Sequence, residues 1–594
     1  MKGKTVWMVG AATIAMAAYG QAHAATTTTT TTTTTTHHRH HHHAMMSTTT
    51  TTMSTSSSSA AAAGPTNAEL EQRIEALEQE VQDNEAKEDS YHTRLSTLEQ
   101  GFGDVSWSFD NGRPTIKSGD GRFSLSIRTR VQIDFADYMQ PHTFNPGVAA
   151  AASAVSPACN QRNLCSGVDI RRAYFGIEGK AYTDFLYEVR LNFGGTKCES
   201  GFGAAAETVS CGDSPLNLAR VAYVGIPNFR INAGIIQPVL TYGNSVSSAE
   251  LTFMEFPSVV AAVISAGTTT VGTATSKNIQ SGGFGGDDSR RGVELDYQKT
   301  DVFMPGDNLV VAASYTGQRT GSIRVGKEGT NTNGRVAYRL WSDGISNIQL
   351  GFDWGYILSI PGARGHSFDI SDRPESRVDG TQFVNTAQSC GLTAPQAAAL
   401  SAAGGTCTSV TGASTYGFEG GFNWENFYGA GEYYHFTQNR DRIFYTSVLG
   451  APTAALMTNP QYNGWYLEGS WIITGEVKPY SASNSANNYA VWGAPVPSRP
   501  FSLAGDSWGA WEVAARYSTL DLNYHAGVAG AAVPVGGIRG GDQKIISGAV
   551  NWYMNRNVRM MFEYQNVNIS QLNAAGAKAN ESFNTLMGRL QFAF

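Results

Sequence analysis

After its first 24 residues the chain has no apolar run that could cross a bilayer as a helix. The longest, near 259–266, falls well short of the ~18 residues required, which excludes a helical membrane bundle. Charged side chains are scarce, at 15% of 594 residues, low for a soluble protein of this size. Base is not in surplus. The 42 Lys and Arg stand against 49 Asp and Glu, a net charge of -7, so the footprint of a nucleic-acid binder is missing. Six cysteines are too few for a disulfide-built scaffold. No CxxC pair, nucleophile elbow or spaced metal-ligand set occurs, so no catalytic residue, metal site or cofactor is expected. What is abundant is glycine (65 residues) and aromatic side chains (11%), and the length suits one large β-barrel as well as several ordinary domains.

Lys2 and Lys4 precede an apolar stretch at 6–18, and Ala22-His23-Ala24 supplies a small-x-small cleavage pattern. Residues 1–24 therefore read as a secretory signal peptide. Its loss removes two Lys and no acid, taking the charge from -7 to -9, and export makes disulfides permissible. Residues 25–66 are a Thr-, Ser-, Ala- and His-rich linker that cannot build a core and is expected to be disordered. Its histidine run, His37 to His43 with Arg39 inside it, offers weak metal capture or is compositional drift, because no fixed geometry is implied.

Between 67 and 100 the pattern turns helical. Leu70, Ile74, Leu77, Val81, Asn84, Glu88, Tyr91, Leu95 and Leu98 alternate at spacings of four and three, a coiled-coil seam with a polar centre. Segment 69–99 holds ten acids and three bases, a solvated face. A lone helix of this size is marginal, so it is expected to be one strand of an oligomer in the periplasm. The alternative is an amphipathic helix packed on its own domain. Residues 101–120 read as a connector.

From 121 to 594 the period becomes two. Phe123, Leu125, Ile127, Val131, Ile133 and Phe135 alternate with Ser124, Ser126, Arg128, Arg130, Gln132 and Asp134. Sixteen such runs can be counted, near 121–138, 168–182, 184–196, 215–227, 228–240, 288–300, 306–318, 333–343, 346–359, 414–425, 427–438, 462–474, 508–522, 544–555, 557–569 and 582–594. Long and short connections alternate between them, the pattern of a transmembrane antiparallel β-barrel with long outer loops and short periplasmic turns. An even strand number puts both chain ends on the periplasmic side. One gap, 475–507, is long yet falls on the turn side, and is expected to fold against or into the barrel mouth.

Parity places ionisable groups on one face of nearly every strand. Arg128, Arg130, Arg172, Arg190, Arg220, Arg230, Arg335, Arg339, Arg516 and Arg589 share it with acids such as Asp296, Asp353, Glu468 and Glu512. A dry core could not bury so many charges. A water-filled lumen hydrates them while lipid solvates the apolar face, and about sixteen strands is wide enough for an aqueous channel. Guanidinium suits phosphate or carboxylate. These arginines are candidate pore-lining, anion-binding groups. The other possibility is that they pair with lumen acids and only stiffen the wall.

The cysteines fall in local pairs, all in outer loops. The expected disulfides are Cys159 with Cys165, Cys198 with Cys211 and Cys390 with Cys407, although fifteen connectivities are possible.

Several stretches resemble the phosphate-selective porin O/P family, and they occur in family order: 169–179 (DIRRAYFGIEG), 251–255 (LTFME), 464–480 (GWYLEGSWIITGEVKPY), 509–523 (GAWEVAARYSTLDLN) and 548–564 (GAVNWYMNRNVRMMFEY), with 372–380 (DRPESRVDG) weaker. The resemblance implies a homotrimeric sixteen-stranded porin of the Gram-negative outer membrane, in contact with lipid and lipopolysaccharide. It further implies that the C-terminal Phe594 is a recognition end for the barrel-assembly machinery. The family's anion preference transfers less directly. Gln237 stands where members typically have Lys before Pro238, and Phe256 where they typically have Arg. The gap 241–287, the loop expected to fold inward and narrow the pore, carries Glu250, Glu255 and Asp287 against Lys277 alone. From residue 100 onward 36 bases face 39 acids, so anion preference would have to come from local Arg clusters. The function expected is passive diffusion of small hydrophilic solutes, with anions or phosphate favoured. The alternative is a structural or adhesive outer-membrane barrel.

Overall fold

The computed structural model describes residues 66–103, 105–109, 112–141, 164–194, 216–265, 267–268, 281–282, 284, 289–320, 328–360, 365–387, 390–484 and 489–594. The leader, the linker with its histidine run, and Cys159, Cys198 and Cys211 lie outside these residues.

The chain divides into two units, Met1–Lys87 and Glu88–Phe594. Helix α1, Asn67–Gly103, begins in the first and ends in the second. Glu69 opens it by accepting a hydrogen bond from the Thr66 amide at 3.1 Å. Leu70, Ile74, Leu77, Val81, Tyr91 and Leu95 are all exposed, and the side chain of Leu98 lies outside the described set.

The second unit holds sixteen long strands. They are β1 Ser124–Met139, β2 Gly167–Ala181, β3 Phe185–Asn192, β4 Leu216–Tyr223, β5 Phe229–Ile236, β6 Arg290–Thr300, β7 Asn308–Arg319 and β8 Thr330–Ser342. They continue as β9 Asn347–Ser359, β10 Val410–Trp424, β11 Phe427–Arg440, β12 Gln461–Ile472, β13 Ala510–Tyr524, β14 Ile538–Tyr553, β15 Val558–Ser570 and β16 Glu581–Ala593. Every neighbour in sequence pairs antiparallel, and β16 pairs with β1 (Arg589 opposite Asp134), so the sheet closes on itself. Closure leaves no long strand with an unpaired edge facing hydrocarbon.

Each expected run is a strand, displaced by a few residues at its ends. The fifth stops at Ile236 rather than near 240, because Pro238 has no amide hydrogen for the ladder and Leu240 turns into the interior. The tight turns use residues that tolerate a left-handed backbone, such as Asn228 (φ 67°) between β4 and β5 and Gly344 (φ 94°) between β8 and β9. In the latter turn the Ser346 and Ile345 amides bond the Asp343 carboxylate, holding its pKa below the ordinary value.

Burial alternates along the strands as the period-two pattern requires. Phe135, Phe175, Leu295, Phe352, Phe418, Leu467, Phe562 and Leu586 point outward and are exposed, while Arg and Glu neighbours point inward and are buried. Near the tight-turn end the outer surface carries stacked aromatic pairs: Trp341 with Trp424, Phe427 with Trp471, and Trp511 with Trp552. Such rings suit the headgroup level of a bilayer.

Among the described residues three connections enter the barrel. The segment after β5 contributes two short helices, α2 Tyr242–Ser245 and α3 Ser258–Ser265, with Val259, Val260, Ala262 and Val263 fully buried. The segment between β9 and β10 sends in Phe368, Ile370 and Val384. The long gap between β12 and β13 folds inward as a hairpin, Tyr480–Asn484 with Tyr489–Trp492, whose Val491 and Trp492 join the same apolar cluster. Beyond the barrel wall, helices α4 Ala394–Ala402 and α5 Arg442–Leu449 pack around the Cys390–Cys407 disulfide. Cys165 is also disulfide-bonded.

Candidate functional site

The strands that carry the first five expected arginines stand next to one another, so their inward side chains share one wall. Arg128, Arg130, Arg190 and Arg220, with Arg230 but without Arg172, line a cavity of about 830 Å³ that reaches Asn555, Arg556 and Phe594, at the tight-turn end. Among the described residues nine cationic side chains line it against three acidic ones, Glu178, Glu188 and Glu250. The wall is therefore locally basic although the chain as a whole is acidic.

The expected arginines fall into two groups by partner. Arg128 bonds Glu178 and Glu188, both at 2.9 Å, and Arg220 bonds Glu188 at 2.8 Å. Arg335 is forked onto Glu419 and lies 3.8 Å from Asp353. Arg516 pairs with Glu375, Arg589 with Asp134 and Glu255, and Arg172 lies 3.7 Å from Glu255. These guanidiniums are compensated, and each ties strands or loops together.

Arg130, Arg190 and Arg339 differ. Arg130 donates to the hydroxyls of Ser247 at 2.7 Å and Ser248 at 2.5 Å. Arg190 donates to Asn217 at 2.7 Å and Gln237 at 2.6 Å. Both guanidiniums lie over the ring of Tyr174, 5.4 and 4.9 Å from its centroid. Arg339 bonds Asn347 at 3.2 Å and stacks over Tyr480. Among the described residues none of the three forms an ion pair. Arg230 bonds Asn232 at 2.9 Å. Neutral acceptors and a ring face orient the Arg130 and Arg190 guanidiniums without cancelling their charge.

On the opposite wall Glu512 is met at 2.9 Å by Lys478, two residues before the inward hairpin, and Glu468 accepts from the Tyr428 hydroxyl at 3.1 Å. Asp296 accepts from Asn232 at 2.7 Å. Asp353, Glu419 and Glu432 bring carboxylate oxygens within 4.8 Å of one another, a hard-oxygen set, but Arg335 already engages two of them.

Parity reading missed Arg113, Arg171, Arg377 and Lys478. Arg113, from the connector, reaches Glu178 at 2.5 Å. Arg377 and Lys478 come from loops, where no periodicity tells direction. Arg171 neighbours Arg172 and should point the other way.

The family profile described as phosphate-selective porin O and P matches residues 155–330 and 363–594. The chain belongs to that family. It is a porin of the outer membrane, and a channel rather than an enzyme is what the family and the closed barrel support. No curated protein sequence matches it. Solved structures similar to this porin include OmpT, an outer membrane protein of Vibrio cholerae, with 8% identity over 80% of this chain and 98% of that one (TM-score 0.38). The outer membrane channel DcaP of Acinetobacter baumannii shows 9% identity over 80% and 99% (TM-score 0.36). Salmonella typhi OmpF, in complex with daunomycin, shows 11% identity over 82% and 100% (TM-score 0.37).

Proposed function

We propose that this porin favours small anions, phosphate among them, and that the preference arises in the periplasmic-side vestibule. The observation that carries the reading is the pair Arg130 and Arg190, two buried guanidiniums on one tyrosine ring with only neutral partners. An anion entering the vestibule meets uncompensated positive charge at a point where water is restricted, and field and desolvation act together there. The remaining arginines hold the wall in shape through their acids. Reconstitution in planar bilayers under a KCl gradient tests this. Reversal potentials that are neutral or favour cations reject it.

The porin assembles as a trimer in this reading, with α1 in the periplasm. The exposed row Leu70, Ile74, Leu77, Val81 and Leu95 supports a partner helix of the same sequence. Lipid and lipopolysaccharide contact the outer face, and Phe594 is read by the assembly machinery. Leu77→Asp together with Val81→Asp is expected to convert the detergent-solubilised trimer to monomers in mass photometry, leaving barrel circular dichroism unchanged.

A further inference from the structure

Arg171 and Arg172 are consecutive on β2, yet both reach the interior. On β1, Gln132 pairs with Arg172 and Ile133 with Ile170, so Arg171 is the extra residue of a bulge. Arg589 arrives from β16 and Arg377 from the extracellular segment between β9 and β10. These four guanidiniums converge on one side chain, Glu255 of the inward loop.

Arg171 grips it as a fork, Nε to Oε1 at 2.8 Å and Nη2 to Oε2 at 3.0 Å. Arg589 Nη2 donates to Oε1 at 2.7 Å. Arg172 and Arg377 approach to 3.7 and 3.8 Å. The loop's main chain is held too: Arg516 donates to the Glu255 carbonyl and Arg589 to that of Met254. Arg172 is 1% exposed, and among the described residues its Nη2 has no hydrogen-bond partner.

Packing alone would anchor this loop, because Phe256, Val259 and Val260 are already buried in the apolar cluster beside it. The extra device is a bidentate, desolvated cradle of the kind that recognises a planar carboxylate or a tetrahedral oxyanion. The donor capacity left on Arg172 points the same way.

We propose that this socket is a binding site for small oxyanions that Glu255 fills as an internal ligand, so that an anion in transit competes with the loop for the same arginines. The proposal deepens the anion reading above and rests on it. Glu255 lies three residues before α3, so its release would loosen a helix packed inside the barrel. Arrival of the solute would then be coupled to widening of its path.

Two measurements test this. The first is block of chloride current by inorganic phosphate in planar bilayers. Glu255→Gln removes the competing charge at constant shape, and is expected to tighten the block by about tenfold or more. A variant that conducts and favours anions but shows unchanged phosphate affinity overturns the latch and leaves the anion reading standing. Cation selectivity in both proteins removes the anion reading itself. The second uses the wild-type porin, so it does not depend on the variant folding. Hydrogen–deuterium exchange across 250–265 is expected to rise in sodium phosphate relative to sodium chloride of equal ionic strength. Identical exchange in the two salts overturns the proposal.

Discussion

Arg335 on β8 holds Glu419 on β10 across the intervening strand, Nε to Oε2 at 2.8 Å and Nη2 to Oε1 at 2.7 Å. The same guanidinium donates to the carbonyls of Tyr489 and Ala490, so one side chain fastens both the wall and the inward hairpin. Arg335→Met would strand a buried carboxylate and is expected to cost about 3–5 kcal/mol. The readout is the temperature at which the folded band is lost in heat-modifiability gels. Adding Glu419→Gln should restore part of the loss. A single variant as heat-resistant as the parent would mean the fork contributes nothing.

Vestibule charge can be separated from wall charge. Arg130→Gln with Arg190→Gln should lower the anion-to-cation permeability ratio and leave thermal stability nearly unchanged, since neither residue is ion-paired. Arg128→Gln with Arg220→Gln strips Glu188 of both partners, and should lower the ratio and the stability together. Reversal potentials and melting curves, taken on the same preparations, distinguish the two patterns.

The Cys390–Cys407 link spans 17 residues around α4. Closing a loop of that size is worth about 3 kcal/mol. Replacing both cysteines with Ser should speed protease nicking between 390 and 409 and leave the strands protected. Peptide mapping without reductant should return the two cysteines in one linked fragment.

Asp120 gives a local pH dependence with a defined sign. The Ser118 hydroxyl, then the Arg122 amide and guanidinium, hold its pKa at about 2, below the ordinary 3.8. A depressed carboxyl stabilises the turn above the unfolded value and loses that effect as pH falls through the folded one. The amide of Arg122 should therefore stay protected down to pH 3.8 and lose protection between there and pH 2. Protection constant across that window would contradict the assignment.

Period-two alternation made the strands legible, because lipid on one side and a polar interior on the other impose it residue by residue. Arg130 and Arg589 could be turned inward by parity alone. Arg171 could not, since a bulge resets parity and the sequence DIRRAY carries no sign of where the extra residue falls. The Glu255 socket was invisible for a related reason. Its four arginines are separated by up to 418 positions, and loop residues such as Arg377 have no period to read. The compensation of Arg128, beside the freedom of Arg130 two residues on, likewise depends on which strand stands next door.

The seam between β16 and β1 joins Arg589 to Asp134, 455 positions apart. No shorter stretch of chain can fasten that hoop, because its clasp joins β1 to β16. Without β16 the first and fifteenth strands both present bare rims. Any unclosed form of the sheet therefore carries two edges open to pairing with another chain, and docking of β16 covers both at once.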